Sequence, residues 1–155
     1  MKLTPESKAA YQAIRNSVAL GEEPELRCLQ LTGPSALDAL DAVCPCDTFL
    51  QDGQMKHTLL LDENAIPVAD VYACREGDDA YLLGYGPEPD ELADWVESHT
   101  TSLSDFSIVD LGKSYRSLAL DGPYAWELCA EVFGPDVLGL PYLGMFLLDE
   151  VPVSY

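Results

Sequence analysis

The sequence is short of positive charge. Lys and Arg together number 8 in 155 residues against 27 Asp and Glu, a formal net charge of −19 with both His neutral. The four lysines (Lys2, Lys8, Lys56, Lys113) and four arginines (Arg15, Arg27, Arg75, Arg116) stand singly along the chain. A surface that neutralises phosphates needs clustered cations, so nucleic acid is excluded as a partner and an anionic membrane surface is disfavoured. Long apolar runs are lacking too. Lys2, Glu6, Lys8, Arg15 and Asn16 interrupt the stretch where a secretory leader needs continuous apolar residues, and no run approaches a membrane span. The expected location is therefore the cytoplasm. A disulfide framework is also missing: Cys28, Cys44, Cys46, Cys74 and Cys129 are odd in number and irregular in spacing, which suits buried free thiols. Cys44-Pro45-Cys46 has no second pair to complete a four-ligand site and is one residue short of a thioredoxin-like motif, so no metal is expected.

What is present is a core. Hydrophobic residues make up 48% of the chain, too many for a solvated polyelectrolyte, so the acidic excess reads as a solvated surface on a single folded domain over 1–155. Thr4-Pro5-Glu6 is a helix start, and Ala9, Ala10, Ala13, Ile14 and Val18 continue it at helical spacing over 5–19. Gly21-Glu22-Glu23-Pro24 reads as the stop. Leu29 and Leu31 then alternate in a short strand, Gly33-Pro34 ends it, and 35–43 is a helix. Residues 55–62, 66–76 and 80–85 read as three antiparallel strands, turning at Asp62-Glu63-Asn64-Ala65 and at Gly77-Asp78-Asp79. A helix over 90–99, strands over 106–111 and 115–120, a helix over 123–133 and a last strand over 145–148 follow. Hairpin-paired strands with interspersed helices predict an α+β domain built on an antiparallel meander.

One unit is used twice. Residues 27–36 and 116–125 share the pattern R-x-L-x-L-x-G-P-x-A, a strand with alternating leucines, a Gly-Pro turn and a helix. Neither copy has the further glycines and the Lys or Ser/Thr of a phosphate cradle, so the turn itself needs no ligand.

Three segments, Leu31-Thr32-Gly33-Pro34-Ser35-Ala36, Asp62 to Val71 (DENAIPVADV) and Leu118 to Ala125 (LALDGPYA), resemble in order the aminomethyltransferase family, the T-protein of the glycine cleavage system and its folate-binding relatives. The resemblance spans about residues 9–150. It implies a tetrahydrofolate-binding domain that transfers a one-carbon unit from an amine or methyl donor, with Asp70 as the catalytic carboxylate beside the pterin and the reacting nitrogen. His57, Tyr72 and Tyr85 would then be pocket walls for the cofactor. A carboxylate suits that place because positive charge develops on nitrogen as a methylene group is attached or released. Alternation along Val68, Asp70 and Tyr72 leaves open a second reading, in which Asp70 simply faces water. A histidine's unperturbed pKa suits a general base, but a strand histidine with no partner in its motif is more often structural, so the structural reading of His57 comes first.

The chain departs from the family at His57, where the family usually has tyrosine, at Gly84-Tyr85-Gly86, where it usually has asparagine, and at Ala65, where it has glycine. The family's later glutamate motif and barrel domain have no counterpart before Tyr155, so the resemblance implies a truncated, N-terminal half. That leaves two functions: a folate-dependent transferase or its folate-binding part, and a non-catalytic T-protein-like assembly subunit that completes a partner chain. Leu138, Leu140, Tyr142, Leu143, Met145, Phe146, Leu147, Leu148, Val151 and Val153 make the last segment apolar, and it is expected to be covered by its own sheet, by a second copy or by a companion subunit. His99 closes an acidic helix as a dipole partner, and the paired acids at the turns are read as solvated.

Overall fold

The computed structural model describes residues 4–145, 147 and 148. In chain order the elements are α1 (Pro5–Asn16), β1 (Ala19–Glu22), β2 (Arg27–Thr32), α2 (Ala36–Val43), β3 (Gln54–Leu61), β4 (Pro67–Glu76), β5 (Asp79–Tyr85), α3 (Pro89–His99), β6 (Ser107–Asp110), β7 (Leu118–Asp121) and α4 (Ala125–Phe133). Short 3-10 turns occupy Leu111–Lys113 and Pro135–Gly139. The architecture is α+β with antiparallel sheets, as the patterning predicts. No helix among the described residues is long and apolar enough to cross a membrane.

Contacts divide the chain into two compact units, Glu25–Tyr115 with Leu143–Leu147, and the segments before Glu25, over Arg116–Tyr142 and from Leu148. The larger unit is a five-stranded sheet in the order β3-β4-β5-β2-β6, with every neighbouring pair antiparallel. One face of this sheet is the core. Leu29, Leu31, Leu60, Val71, Ala73, Ala80 and Leu82 point into it and are buried, against Ala36, Ala39, Leu40 and Val43 of α2 and Leu92 and Val96 of α3. Burying side chains of this size contributes about 1.5–3 kcal/mol each for the larger ones. The smaller unit holds the two-stranded sheet β1-β7, with α1, α4 and the buried Val137.

The two copies of the repeated pattern fall one in each unit and share their local geometry. Gly33 and Gly122 have φ of +120° and +133°, open to glycine and strained for any side chain. Ser35 N donates to Asp105 O at 3.1 Å and Ala36 N to Gly33 O at 3.0 Å; Tyr124 N donates to Ser17 O at 3.2 Å and Ala125 N to Gly122 O at 3.1 Å. A Cβ on Gly33 would stand 2.6 Å from Asp105 O, and one on Gly122 would collide with Ser17 O. In each unit the turn therefore tucks against the chain just ahead of the partner strand, which is β6 in one and β1 in the other.

Two elements differ from the sequence expectation. The first helix stops at Asn16, where Ser17 N makes the closing bond to Ala13 O, and the residues read as a stop are a strand. Ala19–Glu22 extends because β7, about a hundred residues on, offers it a ladder: Leu20 pairs with Leu120 and Glu22 with Leu118. The strand expected over 145–148 includes Phe146, which lies outside the described residues, as do Val151 and Val153 of the apolar tail; its neighbour Gly144 makes a single antiparallel bridge with Gln54. Among the described tail residues Leu138, Tyr142, Leu147 and Leu148 are exposed.

The turn that sets the β3-β4 register is held by Asp62. Its Oδ1 accepts from Asn64 N at 2.9 Å and Ile66 N at 2.8 Å, and the Ile66 bond is the largest of the effects that hold this carboxyl below its usual range. Ala65 completes the turn at φ +62°, in the left-handed region. An L-residue there is disfavoured by about 1–2 kcal/mol, part of which glycine gives back through its freer unfolded chain. Ala65→Gly is therefore expected to stabilise the fold by about 0.5–1 kcal/mol, seen as a higher urea midpoint at unchanged slope.

Candidate functional site

Directly opposed residues of an antiparallel ladder share a face, so the pairings fix which side chains stand together on the second face of the five-stranded sheet. His57 opposes Tyr72, Leu59 opposes Asp70, and Met55 opposes Cys74. Asp70 also opposes Tyr85, Tyr72 opposes Leu83, and Cys74 opposes Tyr81. Beyond them Cys28 opposes Leu83, and Gln30 opposes Tyr81 and Val109. α2 and α3 pack on the other face, so among the described residues no α-helix of the larger unit packs on this one. Asp70, His57, Tyr72 and Tyr85, the four residues singled out from the sequence, all lie on it within two neighbouring strand pairs.

At the centre, His57 Nε2–H donates to Asp70 Oδ1 across 2.5 Å. Both side chains are more than half exposed, at 54% and 58%, so the pair adds little to stability; its effect is to aim the carboxylate. The His57 ring is itself set against Tyr72, with centroids 5.2 Å apart and planes tilted by 52°. Tyr72 and Tyr85 flank Asp70 on the same surface, and both expose ring area. The second oxygen of the carboxylate has no protein partner among the bonds described around it. An oriented carboxylate between aromatic rings can hold a protonated nitrogen, or accept its proton.

Glycine makes this placement possible. Gly84 of β5 lies so close to β4 that a Cβ on it would run into the carbonyl of Asp70 and the Cα of Val71. A Cβ on Gly86 would stand 2.7 Å from Ala69 Cβ. The two strands approach at the residue that carries the carboxylate.

The sulfur groups near the site take no part as nucleophiles. Burial, then Cys28, pushes the Cys74 thiol up to about 12, and burial, then Asp110, pushes Cys28 up to about 11. Both are protonated at neutral pH, and thiols of that kind are inert. Burial, followed by Asp79, also raises Tyr81. No group of three or more His, Cys, Asp or Glu among the described residues is arranged to hold a metal.

A groove of about 570 Å³ runs elsewhere on the larger unit, along Thr32, Gly33, Pro34, Leu37, Asp78 and Asp79. Its two carboxylates make it a poor berth for an anion, and none of the four singled-out residues lines it. The sequence reading missed Leu59, Leu83, Cys28 and Gln30 as members of the Asp70 face. Alternation placed Gln30 opposite the buried leucines, but nothing local reveals that β2 lies beside β5.

Comparison with known proteins places this geometry in context. A family model described as the GCVT N-terminal domain matches residues 2–147. An aminomethyltransferase of Halalkalibacterium halodurans is 29% identical over 120 residues, 76% of this chain and 32% of that protein. One of Acidobacterium capsulatum is 28% identical over 134 residues, 85% of this chain and 35% of that protein. The chain thus spans about a third of the length of these curated relatives. The crystal structure of glycine cleavage system aminomethyltransferase T from Bartonella henselae matches with a TM-score of 0.72 at 22% identity, over 86% of this chain and 35% of that one. A chain of the heterotetrameric sarcosine oxidase from Corynebacterium sp. U-96 matches with a TM-score of 0.51 at 21% identity, over 82% of this chain and 64% of that one.

Proposed function

The chain belongs to the family of the GCVT N-terminal domain, and from that premise we propose that the exposed patch of this sheet face around Asp70 binds the pterin of tetrahydrofolate, with Asp70 acting at the reacting nitrogen during one-carbon transfer. The observation that carries this reading is the half-exposed Asp70 carboxylate, aimed by His57 and set beside Tyr72 and Tyr85 on the sheet face opposite α2 and α3. The residues present fit the group. A pterin is a flat aromatic system edged with N–H donors, and the face offers two exposed rings for stacking and a carboxylate that only accepts when ionised. Tetrahydrofolate, when bound, supplies the nitrogens that carry the one-carbon unit.

The chain's own residues do the rest. Asp70 stabilises positive charge at a nitrogen beside it, or takes its proton. His57 holds one carboxylate oxygen, leaving the other for the ligand. Tyr72 and Tyr85 orient the ring by stacking, and the protonated thiols of Cys28 and Cys74 leave the carboxylate as the reactive group of the face. An amine or methyl donor is the substrate class, and because the chain spans about a third of its curated relatives, the donor's site is assigned to a further polypeptide segment or chain.

A second reading has its own support. The fold likeness that covers 64% of one chain in a heterotetrameric enzyme suits a non-catalytic subunit that completes an assembly. Anaerobic calorimetric titration of the full chain with tetrahydrofolate separates the two. Saturable binding is expected, and Asp70→Asn, which removes a charge-assisted bond of about 1.5–3 kcal/mol, is expected to weaken it roughly 10- to 100-fold. Absence of saturable binding at millimolar ligand, or equal affinity in Asp70→Asn, would overturn the folate reading in favour of the assembly one.

A further inference from the structure

The β3-β4 register gives His57 a partner that its own motif lacks, and that partner is the candidate reactive group. Because an ionised carboxylate only accepts, the bond to Asp70 Oδ1 fixes the neutral imidazole as the Nε2–H tautomer. The proton that turns it into an imidazolium then adds at Nδ1, which makes no hydrogen bond among the described residues. Nε2–H donates to Asp70 in both states. Protonation of His57 therefore turns a net anionic pair into a neutral ion pair while the carboxylate stays aimed by the same bond.

The groups around the imidazole leave that change of charge to the imidazole itself. On β3 the residues sharing its face are Met55 and Leu59, which do not titrate. From β4 it faces Asp70, Tyr72 and, opposite Met55, Cys74; Tyr85 and Tyr81 follow on β5. Residues 143–145, which meet β3 at Gln54 and Met55, bring no titratable side chain. Lys56 alternates to the other face, and its Nζ donates to the Asp47 carbonyl at 2.7 Å. Phenols and thiols ordinarily release their protons well above neutrality, and carboxyls well below it. Histidine is the side chain that ordinarily changes charge between pH 5 and 8.

We propose that His57 sets the charge preference of the Asp70 site: with a neutral imidazole the site favours a ligand nitrogen that carries or develops positive charge, and with an imidazolium it disfavours one. The inference rests on the folate reading for its ligand, the reacting nitrogen of tetrahydrofolate. His57 is a positioning residue in this scheme, since its effect reaches the ligand through the carboxylate. Both side chains are more than half exposed, so water screens the added charge and the expected change in affinity is about 3- to 10-fold.

Anaerobic calorimetric titration of the full chain with tetrahydrofolate at pH 8 and at pH 5.5 tests it, both values lying above the ordinary carboxylate range. The readout is the ratio of the two affinities. In the parent it is expected to be about 3 to 10, with tighter binding at pH 8. In His57→Gln, whose amide N–H can still donate to Asp70 but never carries charge, the ratio is expected to fall to about 1. His57→Lys keeps its charge at both pH values, so its ratio is also expected to be about 1, at an affinity below that of His57→Gln. Circular dichroism spectra of both variants are expected to match the parent, because the ring they replace is half exposed. Equal affinities at the two pH values in the parent, a fall in acid that His57→Gln shares, or His57→Lys binding as tightly as His57→Gln would overturn this proposal and leave folate binding in place. No saturable binding at either pH would remove the folate reading and this inference with it.

Discussion

Replacing Gly84 by alanine is expected to destabilise the fold by about 4 kcal/mol or more, an effect reserved for substitutions that break a core backbone arrangement. β5 is an inner strand, with β4 on one side and β2 on the other, and Gly84 faces Val71 on the first and Arg27 on the second. A Cβ at this position meets backbone on β4, the Asp70 carbonyl and the Val71 Cα, rather than the yielding end of a side chain. Relief requires the β4-β5 ladder to part where it carries the candidate carboxylate. Against a typical domain stability of about 5–15 kcal/mol, such a loss leaves a population that is partly unfolded at 25 °C. Urea titration followed by circular dichroism checks this, with Gly21→Ala as the reference. Gly21 lies in β1 with nothing within 4 Å of its would-be Cβ, so its replacement is expected to change stability by no more than about 1 kcal/mol. A Gly84→Ala midpoint close to that of Gly21→Ala would show that the strands can separate at little cost.

That close approach was invisible in the sequence, and the reason is general to this fold. Local signals were sufficient where structure is local. Thr4 caps α1 by accepting from Ser7 N, Gly33-Pro34 and Gly122-Pro123 stop strands and start helices, and Asp62 closes a turn with two bonds from residues within four positions. The meander β3-β4-β5 followed from alternation and two turns. What alternation could not reveal was pairing between distant segments. β1 was hidden because Gly21 and Pro24 look like punctuation, and only β7 makes a strand of Ala19–Glu22.

The site shows the same division. Asp70, His57, Tyr72 and Tyr85 were singled out through a family resemblance carried by turn motifs, and the pairing puts them on one face. Which face that is, and that α2 and α3 both pack on the other, depends on where β2 inserts, a non-local fact. The His57–Asp70 bond spans thirteen positions of sequence and follows from a register that the Asp62 turn and the irregularity between Leu60 and Leu61 set together.

The buried thiols lead to the second large effect, a loss of stability in alkali. Burial, followed by Cys46 and Asp41, pushes Cys44 up to about 12, as burial and Cys28 do for Cys74, while Cys28 rises to about 11, all from an ordinary 9.0. A group with a raised folded value keeps its proton in the native state after the unfolded chain has released it. Its contribution is therefore complete below pH 9 and declines from there until pH passes the folded value. At about 1.4 kcal/mol for each pH unit, Cys44 and Cys74 could each withdraw on the order of 4 kcal/mol by pH 12. Cys28 contributes to the rise of Cys74, so their effects do not add in full. Tyr81, raised mainly by burial, acts in the same direction. Since these losses rival a whole domain's stability, unfolding is expected below pH 12. Urea midpoints should be level between pH 7 and 8.5 and then fall steeply. Cys74→Ala is expected to start from a lower midpoint, because it opens a small cavity, yet to lose less between pH 9 and 11; Cys44→Ala should do likewise, and the double variant should be flatter still. An alkaline slope equal to that of the parent in the double variant would place the titrating groups elsewhere, with Tyr81 the next to test by Tyr81→Phe.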